Sequence, residues 1–281
     1  MYDYATISSV LEEDVLCHAW IEPQYLAGMG ESESVFGTLV DNFGWDHTNE
    51  GHRGEWATSP CGVAIVRLLP REHEDPWDWT IDVDGHRGQG QWRATFEHEA
   101  PVEFVAAITT ALARRLTPTD ARPQPRPISE PLTAGWHMGT LDERTVRVSS
   151  PDGLLALHRT EEGFGDPAED WTWHLSAGEQ GHPVWSGRLT ARTPRDVIEA
   201  GLTALARPEP VLREARWLPY NALHLIRVLP SHWVPGPTTS TAANARSPHA
   251  PSESTLLTPA QAALGAGRPS LNPPTPPPST R

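Results

Sequence analysis

The feature that most constrains this chain is an internal repeat with a framework of tryptophan. Both copies present the same landmarks in the same order: a Gly-Trp pair, a Ser-Pro turn, a Trp-X-Trp strand, a further Trp and a Pro-led apolar run. The first copy has them at Trp45, 59–62, Trp77 to Trp79, Trp92 and 101–116, and the second at Trp136, 150–153, Trp171 to Trp173, Trp185 and 194–205. Such self-similarity predicts a duplicated structural unit. We therefore expect two tandem, pseudo-symmetric domains.

The net charge and the residue composition exclude some classes of function for this chain. The 281-residue chain carries 22 basic and 36 acidic residues, a formal net charge of −14, and all its basic residues are arginine. Neutralisation of phosphates supplies most of the affinity for duplex nucleic acid, so this acidic chain is not expected to coat a duplex. Without lysine, it also lacks the amine needed for Schiff-base chemistry or a Walker phosphate loop.

Cysteine usage and apolar patterning predict a cytoplasmic protein. Cys17 and Cys61 are too few and too far apart for a disulfide framework or a zinc knuckle, and sparse thiols suit a reducing compartment. The first residues are acidic, unlike a signal peptide. No run reaches the roughly 20 apolar residues of a membrane span. We therefore expect no membrane partner.

The apolar spacing predicts an α+β fold in each copy, with an antiparallel sheet of about four strands between two helices. In the first copy the helices span 32–43 and 101–116, and the strands span 55–58, 63–69, 77–83 and 91–98. In the second copy a short helix spans 128–134, the strands span 145–149, 154–159, 171–177 and 184–190, and the last helix spans 194–205.

Composition predicts the boundaries of these units. The segments are a lead-in over 1–30, a first repeat over 31–116, a Pro-rich linker over 117–127, a second repeat over 128–207, an accessory segment over 208–234 and a tail over 235–281. The tail is rich in Pro and small residues, and it cannot bury enough apolar surface to offset its chain entropy. We expect it to be disordered. Its polyproline end is either a docking peptide or a solvated terminus.

Several ordered motifs resemble one known family. They are Ala27-Gly28, Ala134-Gly135-Trp136, Ser150-Pro151-Asp152-Gly153, Trp185-Ser186 and Thr193-Pro194 before an apolar helix. Together they resemble the actinobacterial domain of unknown function 317, which usually occurs as a tandem pair. The resemblance covers about residues 20–210 and implies no activity, substrate or cofactor. The first copy departs from the pattern at Cys61, where the second has Asp152.

Sheet tryptophans and neighbouring arginines are the candidate binding residues. They are Trp77, Trp79, Trp171, Trp173, Arg93 and Arg188. Exposed aromatic rings on a sheet stack single-stranded bases, at roughly 1–3 kcal/mol each. Tryptophans at alternate strand positions, beside Ile81 and Val83, are more typical of a small core. The exposure of Trp79 and Trp173 distinguishes the two interpretations.

Acidic residues gather in one loop of each copy, around Asp75 and Asp170. Clustered carboxylates can hold a divalent cation or act as an acid and base pair. Neither loop has the spacing of a calcium loop, and the histidines form no HExxH motif. The sequence therefore predicts no metal site, no cofactor and no catalytic residue.

Three functions stay open at this point. Duplication without a catalytic motif favours a non-enzymatic interaction or assembly protein with a protein partner, because a pseudo-two-fold pair presents an extended shared surface. The alternative is a single-stranded nucleic-acid-binding protein that uses the sheet tryptophans. A metal-dependent hydrolase that uses the acidic loops is the second alternative. The oligomeric state is not indicated by the sequence.

Overall fold

A computed structural model describes residues 18–70, 78–85, 90–117, 135–142, 145–161 and 171–229. The predicted short helix over 128–134, nearly all of the linker and the tail from 235 onward lie outside these ranges. So do the two loop carboxylates Asp75 and Asp170, and Trp77.

The first repeat has two helices and five strands. Helix α1 spans Glu33–Phe43, and it ends at Gly44, whose left-handed backbone (φ 65°) reverses the chain. Helix α2 spans Val102–Leu116 and follows Pro101, which suits a first-turn position. The strands are β2 (Asp46–Asn49), β3 (Glu55–Thr58), β4 (Ala64–Leu68), β5 (Trp79–Val83) and β6 (Trp92–Phe96).

The second repeat follows the same order from its first described strand. Its strands are β7 (His137–Asp142), β8 (Thr145–Ser149), β9 (Leu155–Glu161), β10 (Trp171–Glu179) and β11 (His182–Thr190). Helix α3 spans Arg195–Leu205. The described chain is thus mostly β-sheet with three α-helices and two similar halves, in agreement with the predicted α+β class.

The ten strands form a single antiparallel sheet in the order β2-β3-β4-β5-β6-β11-β10-β9-β8-β7. The repeats join where β6 pairs with β11, with Ala94 opposite Leu189 and Phe96 opposite Gly187. Two corrections to the prediction follow: each half has five strands rather than about four, and the two sheets are continuous. The extra strand β2 is entirely exposed, so its sequence carries no apolar alternation.

The predicted lead-in and accessory segments also belong together. Strand β1 (His18–Glu22) is the central strand of a second sheet, between β12 (Val211–Glu214) and β13 (Arg227–Leu229). Neither segment is therefore an independent appendage of one repeat. Because the pairing joins residues nearly 200 positions apart, no local sequence pattern could indicate it.

The core lies between the helices and one face of the large sheet, called here the inner face. Phe36 of α1 stacks on Trp79 of β5, with ring centroids 5.8 Å apart. Phe104 of α2 lies 4.9 Å from Phe96 of β6 and 5.6 Å from Trp185 of β11. One helix of the first repeat thus contacts strands of both repeats.

Candidate functional site

The structure separates the predicted tryptophans from the predicted arginines. Trp79 is completely buried on the inner face, and Trp173 is half-buried against the core, with the guanidinium carbon of Arg159 5.6 Å from its ring centroid. Trp79 therefore cannot stack a base. Trp171 belongs to β10, but its side chain, like Trp77, is outside the described part.

Arg93 and Arg188 are exposed and lie on the opposite, outer face of the sheet. On this face, residues that lie directly opposite one another on adjacent strands form a row across the sheet, called here the outer row. It consists of Trp56, Arg67, Thr80, Thr95, Arg188, His174, His158 and Arg147. Arg93 lies two positions along β6 from Thr95, on the same face. The cationic residues of both repeats are thus brought onto one surface.

The geometry of the outer row fits an extended partner. From Arg67 on β4 to Arg147 on β8 the row crosses six inter-strand steps of about 4.8 Å, or about 29 Å in all. At one end the carboxylate of Asp82 accepts hydrogen bonds from Arg67 and, at 2.5 Å, from Nε of Arg93. Because Asp82 holds both side chains against the strands, their guanidinium groups are preorganised along the face.

The second repeat widens the same surface into a cleft. The cleft has a volume of about 350 Å³ and is bordered by Arg147, His158, Ser176 and the backbone around Gly178. The rings of His158 and His174 stack beside it, 5.3 Å apart. Gly178 (φ 119°) lies at the bulge where β10 shifts its register against β11, and this distortion opens the sheet locally.

Among the described residues, this face carries a small excess of positive charge although the chain is strongly acidic. Arg67, Arg93, Arg147 and Arg188 carry four positive charges across β4 to β8, against the carboxylates of Asp82, Glu97 and Glu179. Glu97 is engaged at the junction of the repeats, where it accepts hydrogen bonds from the backbone and hydroxyl of Ser186. Glu179 borders the cleft together with Arg147.

The two Ser-Pro turns share one geometry and differ in the contacts of their third residue, Cys61 or Asp152. Ser59 and Ser150 each close the turn by accepting a hydrogen bond from a backbone N–H five residues on, at 3.0 and 2.9 Å. In the second copy Asp152 also accepts from Ser150 at 2.6 Å and from the Tyr25 hydroxyl. In the first copy Cys61 is exposed. Asp152, which replaces the cysteine of the first copy, thus anchors the lead-in segment to the second repeat through Tyr25.

Tyr25 is held on both sides. Its carbonyl accepts a 2.7 Å hydrogen bond from the indole of Trp185, and its ring meets Trp136 edge-on at 6.4 Å. Burial, aided by the Asp152 contact, raises the pKa of Tyr25 well above its ordinary value. The phenol therefore stays protonated and acts as a structural hydrogen-bond donor.

Within the described ranges, no group of three or more His, Cys, Asp or Glu side chains is arranged to hold a metal ion. None of the helices in that part of the chain is long and apolar enough to cross a membrane. Most residues of the acidic loops, on which the hydrolase hypothesis depends, fall at 71–77 and 162–170, beyond the described residues. Of their end residues, Asp78 is buried and lies 3.1 Å from Nδ1 of His98.

Sequence reasoning selected Arg93 and Arg188 but not Arg147, His158 or His174. The signal that could have identified them is their alternation with buried residues, since Leu155 and Leu157 flank the outward positions of β9. Alternation within a strand cannot show that β6 pairs with β11. Without that pairing, the outward side chains of the two repeats would not share one surface.

Comparison with known proteins gives a family and no activity. No curated protein and no solved structure matches the chain. Two segments, residues 58–119 and 149–211, match the model of the SPDY family, described as a domain of unknown function (DUF317). Both segments begin at the Ser-Pro turn and end after the helix that follows the sheet. The chain therefore carries two tandem segments that match the DUF317 domain.

Proposed function

We propose that this protein is a non-enzymatic interaction protein that binds an acidic region of another protein on the outer face of its ten-stranded sheet. The observation that carries the proposal is the outer row, which gathers arginine and histidine from both repeats across about 29 Å. Arginine is enriched at protein interfaces, and its planar fork binds carboxylates with two parallel hydrogen bonds.

The charge of the surface favours binding of an acidic partner over self-association through the same face. A two-fold pair would place the outer row against its own copy, and like charges opposed across an interface cost several kcal/mol. An acidic partner would be steered instead toward the local cationic surface.

Single-stranded nucleic acid is the second candidate, favoured by the same run of cationic side chains. Base stacking supplies much of the affinity in such sites, and among the described strands Trp56 is the tryptophan whose register places it on the outer face. The burial of Trp79 takes one ring from the set of sheet tryptophans on which that hypothesis first rested.

The test compares two defined polyanions, a poly-glutamate peptide and an oligothymidylate of equal charge, by titration at low salt. We expect poly-glutamate to bind more tightly, and Arg147→Glu with Arg188→Glu to weaken it about tenfold or more because reversal introduces repulsion. Arg207→Glu, an exposed change beyond the end of α3, is the matched control. Tighter binding of the oligonucleotide would select the second candidate, and equal loss with the control would exclude the outer face.

A further inference from the structure

A separate cavity lies on the helix side of the molecule, away from the outer row. It has a volume of about 790 Å³ and is enclosed by the first turns of α1 and α2 and by the small sheet at β1 and β12. This is within the range of about 300–1,000 Å³ typical of sites for small molecules. It is formed by the lead-in segment, the first repeat and the accessory segment together.

The walls of this cavity are largely apolar. Met29, Val102 and Ala106 line it, together with Leu212 and Trp217. The last two are unusual among large apolar side chains of the described part, because Trp217 is 51% and Leu212 is 44% exposed. Large apolar groups left in water beside a concave site commonly mark a place where a ligand covers them.

The one arginine of the cavity is already engaged. Arg213 is buried, and it donates to Glu103 at 2.5 Å, to the carbonyl of Leu212 at 3.0 Å and to the carbonyl of Gly28 at 3.3 Å. Its charge is neutralised by Glu103, so Arg213 positions the small sheet on α2 and does not provide an anion site.

The lining has four carboxylates against one arginine, and His18 and His98 are its other titratable side chains. Glu31, Glu99 and Glu214 border the space, and Glu214 accepts a 3.0 Å hydrogen bond from the indole of Trp217. The two helix N-termini oppose them with only about half a positive charge each. With histidine counted as neutral, the formal charge of the lining is therefore negative, and an indole face beside carboxylates favours a cation through its ring electrons.

We propose that this cavity binds a small organic cation, in which a protonated amine or guanidinium is attached to an aryl or short alkyl group. The apolar body contacts Val102, Leu212 and Trp217, while the charged end faces Glu31 and Glu99. This site is independent of the interaction face and does not require the proposed function.

The test uses three probes of matched shape, 2-phenylethylammonium, 2-phenylethanol and 3-phenylpropionate, titrated into the full chain by calorimetry and followed by ligand-observed NMR. We expect the ammonium to bind with a Kd of the order of ~1 mM, about tenfold tighter than the alcohol, and the carboxylate to bind most weakly.

Variants separate the apolar and the charged contributions. Trp217→Ala should weaken all three probes, whereas Glu31→Gln with Glu99→Gln should reduce the preference for the ammonium over the alcohol about fivefold or more. Met138→Ala, which removes an exposed apolar side chain of β7 outside both sites, is the matched control and should change neither. Equal affinity for the three probes, a preference for the carboxylate, or no binding of the ammonium up to ~10 mM would overturn the proposal.

Discussion

At the scale of the residue, the informative difference between the copies is Asp152 against Cys61. Asp152 accepts hydrogen bonds from Ser150, from the backbone of Leu154 and from the buried phenol of Tyr25. Asp152→Ala removes all three and leaves the Tyr25 hydroxyl with Ser150 as its side-chain partner, so we expect a loss of about 1–2 kcal/mol in the free energy of unfolding, moderated by the exposure of the turn. Denaturant-induced unfolding of the variant and the parent chain measures this loss of free energy.

The control for that change is Cys61→Ala at the matching position of the first copy. Cys61 is exposed, and its sulfur lies 3.5 Å from the hydroxyl oxygen of Ser59. Surface substitutions of this kind usually stay within about 0.5 kcal/mol. If both alanine variants lose the same stability, the carboxylate has no anchoring role.

Tyr25 gives a second prediction at this scale, through pH. Because its pKa is raised above 10.0 in the folded state, its contribution to stability is complete below that value and is lost as the pH rises above it. The chain has no lysine to titrate in the same range, which makes this loss easier to isolate. Tyr25→Phe should flatten the fall of unfolding free energy above about pH 10. Parallel slopes for the two proteins would contradict this.

At the scale of the element, apolar alternation predicted most of the strands. The strands at 55–58 and 145–149 were predicted with their observed bounds, and Trp79, Ile81 and Val83 share the buried face as expected. Strands β2 and β7 were not predicted, because neither has the alternation of apolar and polar residues that marks a half-buried strand. The alternation of apolar and polar residues reflects burial of one face of a strand, so an exposed edge strand does not show it.

The join between the repeats is a further element that no local pattern could predict. On β11, Gly187 lies opposite Phe96, and a Cβ at that glycine would approach the Phe96 ring to 2.5 Å. The absent side chain leaves room for the aromatic group of Phe96, Phe104 and Trp185. From the sequence alone, this glycine indicates only a residue that weakens a strand. The candidate site depends on this join, which explains why its surface was only partly predicted.

At the scale of the whole molecule, the two repeats share one core. Residues 1–236 form a single compact unit, although their sequence predicts two domains with a linker. Helices α2 and α3 pack against each other, and Gly201 of α3 receives Phe104 and Ile108 of α2. The lead-in strand β1 is held between two strands that follow the second repeat. The ends of the duplicated region therefore depend on one another for their pairing.

A shared core predicts that the repeats unfold together. Gly201→Val would place a Cβ 2.5 Å from the Phe104 ring and 2.9 Å from Ile108, and overpacking of this kind costs about 1–3 kcal/mol. We expect one transition with coincident circular dichroism and tryptophan fluorescence, shifted to lower denaturant as a whole. Gly139→Val is the matched control, since nothing lies within 4 Å of a Cβ there. Two separated transitions in Gly201→Val, with one unchanged from the parent chain, would show that the repeats are independent domains.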